Sequence, residues 1–218
     1  MNVGGLIFVT ISLAVGGIPV LFVKRSWILL ALSIPAYFLA ILSKAIVSSL
    51  LVSVVDSPTL VAYLIAGTET ALAEVGLAYV FLWLGRSSLR EAKMGFTYGI
   101  YLAFWENFIL LGLLDLLNLS QLTSSTVNFI PLLLPHFLDR VTSLLAHMYW
   151  GFMDYMAVFR GKLRYLFMAM PLGFIDSLAA WWDLTKAIPY LEFAMVAFLL
   201  TLLSVPVMMG VLRWNSVG

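Results

Sequence analysis

Long apolar runs, broken by short polar or charged stretches, recur seven times along the chain, over residues 4–23, 27–55, 58–85, 95–114, 129–159, 163–182 and 187–212. At about 1.5 Å of rise per helical residue, each run is long enough to cross a ~30 Å hydrocarbon slab. The breaks carry turn or charge signals: Lys24-Arg25, Asp56-Ser57-Pro58, Arg86 to Lys93, Asp115 to Ser125, Arg160 to Arg164, and Asp183 to Pro189. The weak two-residue alternation of an outer-membrane barrel is absent. The pattern therefore predicts an all-α fold, a polytopic transmembrane helical bundle of seven spans forming one integral membrane domain over 1–218. No internal repeat is apparent, so the inverted-repeat signature of many transporters is missing.

Charge adds an orientation. The loops after the first, third and fifth spans hold Lys24, Arg25, Arg86, Arg90, Lys93, Arg160, Lys162 and Arg164, and the tail after the seventh holds Arg213. The opposite loops hold Asp56, Asp115, Asp183 and the single Lys186. Basic residues gather on the cytoplasmic side, which places the N-terminus outside and the C-terminus inside. Trp27, Trp83 and Trp214 then fall at the inner interface and Trp181-Trp182 at the outer one. Composition agrees: 63% hydrophobic, 11% charged, mean hydropathy +1.05. A net charge of +1 gives no footprint for nucleic acid, and the absence of cysteine excludes thiol nucleophiles, disulfides and thiolate metal sites. The stretch Met1 to Gly5 lacks the basic region of a cleaved signal peptide, so the first helix is expected to be retained in a plasma membrane or its equivalent. The outer loop from Asp115 to Ser125 intersperses Leu116, Leu117, Leu119 and Leu122 with polar residues. It reads as a surface-lying lid or as a solvated loop, and its Asn118-Leu119-Ser120 fits a glycosylation triplet that also arises by chance.

Four ionisable residues on four different spans share one depth. Glu74 lies 12 residues from Arg86, Glu106 lies 13 from Lys93, His147 lies 13 from Arg160, and Asp176 lies 12 from Arg164. All four sit ~18–20 Å from the basic side, where an ionisable group costs several kcal/mol unless paired or hydrated. The other charges fall elsewhere. Lys44, Glu69, Glu192, Asp139 and Arg140 count out to ~26–32 Å, near the outer interface, where they are expected to snorkel or pair. Asp154 lies toward the inner side and is expected to pair with Lys162 or a neighbour. The shared layer admits two hydrolytic chemistries. Imidazole and carboxylates can ligate a divalent metal such as zinc with Glu106, His147 and Asp176 as ligands, or one Glu can act as general base on a water. A buried hydrogen-bond cluster or an ion path uses the same residue types.

The residues also carry a resemblance. The run from Gly95 to Gly99 leading to Trp105-Glu106-Asn107, the pair Asp139-Arg140 seven residues ahead of His147, and the segment Pro171 to Ser177 around Asp176 lie on separate helices. Together with Glu74 in the stretch Leu72 to Gly76, they resemble motifs of intramembrane proteases. The family is the CAAX-processing and bacteriocin-processing superfamily, particularly its PrsW-like and YhfC-like relatives. The resemblance covers about half the chain, from Glu74 to Asp176. It implies that Glu74, Glu106, His147 and Asp176 are catalytic, with a glutamate activating water and His147 orienting it or binding metal. It also implies a transmembrane or lipidated peptide as substrate, with membrane lipids around it. Ala73 stands where relatives carry a second Glu, and Leu172 where they carry a second His, so a degenerate site is an alternative to an active one.

Rival readings fare unequally. A retinal protein needs a lysine in the last span, and residues 187–212 have none. Ser177 lacks the glycine-flanked setting of a rhomboid-type nucleophile, and Gly173 to Asp176 lacks the second glycine of a presenilin-like motif. An ion- or proton-coupled transporter remains open, with Gly76, Gly99, Gly112 and Gly173 as possible helix breaks. So does a non-catalytic membrane subunit with Met148, Met153 and Met156 facing a partner, although such stripes usually pack between helices.

Overall fold

A computed structural model describes residues 3–124 and 128–216. Met1, Asn2 and the loop end at Ser125 lie outside the described residues. The chain is predominantly helical over these, with no strand among them. Its long helices are α1 (Val3–Phe22), α2 (Trp27–Leu50), α3 (Leu60–Leu84), α4 (Met94–Leu117), α5 (Ile130–Arg160), α6 (residues 164–185) and α7 (Tyr190–Trp214). Five of them, α1, α2, α3, α4 and α7, are long and apolar enough to cross a membrane. Charges inside α5 (Asp139, Arg140, Asp154) and α6 (Asp176, Asp183) lower the mean hydropathy of those two.

Local chemistry sets the ends. Ser26 and Thr59 cap α2 and α3 by accepting from the amides of Leu29 and Ala62. Gly161 closes α5 in the left-handed region at φ 63°, where glycine carries no steric penalty. The expected run 27–55 is interrupted: α2 stops at Leu50, and a single turn, Val52–Val55, precedes the cap of α3. The loop after α4 is helical rather than irregular over its described residues, with α4 extending to Leu117 and a further short helix over Leu119–Ser124.

The surface is that of a membrane protein. Leu21, Phe22, Leu50, Leu60, Leu84, Phe167 and Leu203 are each more than 60% exposed, a distribution that suits hydrocarbon and not water. The inside is organised around α5, which packs against α1, α3, α4, α6 and α7 and is buried almost continuously from Ala146 to Ala157. Met153 and Met156 are fully buried in this core against Trp150, Phe152 and Tyr165, so that stripe is helix–helix packing.

Two glycines set the closest approach. A Cβ on Gly151 would lie 2.4 Å from Gly99 Cα, and one on Gly99 would lie 2.5 Å from the His147 carbonyl oxygen. The α4–α5 crossing is thus backbone on backbone, the small-residue contact that lets apolar helices associate. Gly151→Ala is expected to cost about 1–3 kcal/mol by overpacking, a fall in Tm of roughly 5 °C in detergent. Melting at the wild-type temperature would contradict this crossing.

Candidate metal centre within the bundle

The helices are irregular where the acidic residues sit. Glu74 lies in a π-helical stretch, Thr70–Val75. Glu106 lies in another, Trp105–Leu113. Asp176 follows a 3-10 stretch, Met170–Phe174, at the start of the second half of α6. A π turn widens the helix by a residue and rotates the side chains beyond it, and such turns concentrate at functional sites. His147 is on the regular part of α5, whose position against α4 is fixed by the Gly99–Gly151 contact. A similar contact, Gly173 against Ala71, brings α6 onto the widened turn of α3.

Three ligand-type atoms converge. His147 Nε2 lies 3.5 Å from Glu74 Oε2 and 3.5 Å from Glu106 Oε2, and the three atoms fall within 4.8 Å of one another. Each residue is tethered through its other polar atom. His147 Nδ1 lies 2.9 Å from the carbonyl oxygen of Ser143, which can only accept, so Nδ1 carries a hydrogen. Ser143 Oγ donates to Glu106 Oε1 at 2.8 Å. Lys44 Nζ donates to Glu74 Oε1 at 2.6 Å. Nε2 itself is buried without a hydrogen-bond partner among the described residues. With the tautomer fixed by Ser143, a neutral imidazole turns its lone pair toward two carboxylate oxygens. That arrangement is repulsive unless a cation or a proton lies between them.

The three atoms fit a metal ion. Ligand bonds of about 2.0–2.2 Å in a tetrahedron put neighbouring donors ~3.4 Å apart, close to both His147–Glu separations. Nitrogen and carboxylate oxygen are an ordinary donor set for zinc and its neighbours. The outer contacts from Ser143 and Lys44 are of the kind that orient metal ligands and fix imidazole tautomers. Among the described residues, no other group of three or more such side chains comes this close together.

Asp176 is placed one step away. Its Oδ2 accepts from Lys44 Nζ at 2.9 Å and from Thr70 Oγ1 at 2.5 Å, so Lys44 joins Asp176 to Glu74. It lies outside the group of ligand atoms, where Glu74 stands instead. All four residues of the predicted layer nonetheless line one cavity of about 330 Å³, together with Lys44, Tyr37, Ser143, Asp139 and Arg140. Four carboxylates thus face two permanent cations, an imbalance that a divalent ion would neutralise.

Several expectations need correction. Lys44 is not an interfacial residue: counting along the helix locates its backbone, but the four-carbon stem carries the ammonium inward to Glu74 and Asp176. Arg140 is also internal, its guanidinium donating to Asn107 Oδ1 and Asp139 Oδ2 and lying 3.8 Å from Glu106. Asp154 does not pair with Lys162. It faces the bundle interior, fully buried, and neither oxygen has a partner among the described residues, whereas Lys162 is exposed beyond the helix end. Because a buried polar group without partners is unfavourable, Asp154→Leu is expected to melt no lower than wild type. A fall of several degrees would reveal a compensating contact. Ser177 donates to the Tyr63 carbonyl at 2.6 Å, which occupies it structurally. Thr70 and Ser143 carry no signal in the motifs above, whereas Asn107 belongs to the Trp105-Glu106-Asn107 stretch. Ser143 could have been found as the residue one turn before His147 on the same face.

Neither a family model, nor a curated protein, nor a solved structure matches the chain.

Proposed function

We propose that this chain is a seven-span intramembrane hydrolase, N-terminus outside and C-terminus inside. It would use a divalent metal held by Glu74, Glu106 and His147 to cleave a peptide bond of a membrane-associated substrate. The observation that carries this reading is the buried, unpartnered Nε2 of His147, equidistant from one free oxygen of each glutamate. A bound ion would supply a water made nucleophilic at neutral pH and a Lewis acid for the carbonyl. The chain's own residues do the rest. Ser143 and Lys44 hold the unused oxygens of the glutamates, and Asp176 and Thr70 hold Lys44. Glu106, whose side chain is 20% exposed against 9% for Glu74, is the more open of the two to the cavity. The depth of the layer favours a transmembrane or lipid-anchored substrate over a soluble one, entering from the outer side past the Leu119–Ser124 helix. The resemblance to intramembrane proteases of the CAAX-processing superfamily points to the same reaction class and to a plasma membrane.

The test compares membranes from cells producing the wild type or Glu106→Gln at equal levels. Membrane-protein fragments with new N-termini are expected with the wild type and absent with the variant. Identical fragment sets would remove the protease assignment.

A further inference from the structure

Nearly every donor around the cavity is already spent. Lys44 is held by Glu74, Asp176 and Thr70. Thr70 donates to Asp176, Ser143 to Glu106, Thr142 to the Leu138 carbonyl, and Arg140 to Asp139 and Asn107. Two neutral donors of the lining residues remain without an acceptor among the described residues, the Tyr37 hydroxyl and the Trp150 indole N–H. Tyr37 is 2% exposed and is held by the edge of Phe38 at 5.5 Å and by the apolar cluster around Leu29, Ala36 and Leu82. It sits two helical turns before Lys44 on the same face of α2, within electrostatic reach of both Glu74 and Glu106, yet bonded to neither. A buried hydroxyl left unsatisfied is unfavourable, yet the fold sustains one beside its most charged residues.

We propose that Tyr37 is a catalytic residue of this centre, its hydroxyl donating a hydrogen bond to the carbonyl oxygen of the bound substrate. The proposal rests on the metal-hydrolase reading. Tyr37 keeps its proton throughout. Its role is to oppose the negative charge that grows on that oxygen as water attacks, where a pre-placed donor in a water-poor site is most effective. The Tyr37 ring lies 6.1 Å from that of His147, beside the proposed ligands.

The experiment uses the full chain in detergent micelles, loaded with zinc, and acetohydroxamate as the probe, whose carbonyl oxygen accepts a hydrogen bond while the group ligates metal. Zinc affinity and probe affinity are measured for the wild type, Tyr37→Phe and Trp150→Phe. Tyr37→Phe keeps the ring and removes only the hydroxyl, so its zinc affinity is expected within about 2-fold of wild type, while the probe binds ~10-fold more weakly. Trp150→Phe is expected to leave probe binding within about 2-fold. Equal probe affinity in Tyr37→Phe, a loss confined to Trp150→Phe, or a zinc-loaded wild type indifferent to the probe each overturns the donor role. A parallel loss of zinc affinity in Tyr37→Phe does so too, by assigning the hydroxyl to the ligands. Wild type that binds no zinc contradicts the metal reading itself, a result distinct from all of these.

Discussion

Lys44→Met is expected to destabilise the protein by about 3 kcal/mol, the largest stability effect of any substitution around the cavity. The ammonium is the shared partner of Glu74 and Asp176, at 2.6 and 2.9 Å, and these side chains are only 9% and 34% exposed. Methionine keeps most of the stem's volume and removes the charge. Two carboxylates are then left without their shared cation, with Thr70 as the only remaining donor to Asp176 among the described residues. The cost comes from stranding charge, so it should be recoverable by removing the stranded charge. Lys44→Met combined with Asp176→Asn is expected to melt above Lys44→Met alone, and thermal melting of the single and double variants in one detergent checks it. A single variant that melts with wild type would show that Lys44 points elsewhere.

The second large effect concerns the ligands. His147→Ala is expected to weaken divalent-metal binding by at least ~10³-fold and Glu74→Gln by ~10²-fold, since each removes one of three proposed donors. Ser143→Ala removes only the hydroxyl that steadies Glu106, because the His147 ring is held by the Ser143 backbone carbonyl, which survives the change. Its loss is expected to be ~10-fold, the scale of a second-layer contact. Zinc competition with a chromophoric chelator measures the three in parallel. The ordering matters more than any single value: a ligand set based on Asp176 would instead leave Glu74→Gln almost silent.

How much of this could be read from the residues divides along the physics of helices. The number and placement of the apolar segments follow from a local property, the length of hydrophobic runs, and the long helices fall close to those runs. The common depth of Glu74, Glu106, His147 and Asp176 follows from a fixed rise per residue, and the four do line one cavity. Depth is one coordinate, however. Rotation about the helix axis is set by packing, and here the π-helical turns at Thr70–Val75 and Trp105–Leu113 alter it at the very residues concerned. No regular 3.6-residue wheel predicts which side those glutamates face. Lys44 and Arg140 reach the site for a second reason. Their long side chains move the charge several ångströms from the backbone position that counting provides, inward in this case and not toward the interface. Asp154 shows the converse, a short side chain that cannot reach out and stays where the helix puts it. Of the glycines read as breaks, Gly112 and Gly173 do fall inside irregular turns and Gly76 follows one, whereas Gly99 lies in regular helix where the α4 and α5 backbones touch.

The measurement that bears most directly on the centre is X-ray absorption at the metal edge of protein purified without chelator and equilibrated with micromolar zinc. The arrangement predicts one ion per chain, nitrogen and oxygen donors at about 2.0–2.1 Å, and the outer-shell scattering of a single imidazole, all lost in His147→Ala. Protein without bound zinc, or zinc whose spectrum contains no imidazole, would contradict it. His147 would then be an imidazolium bridging Glu74 and Glu106.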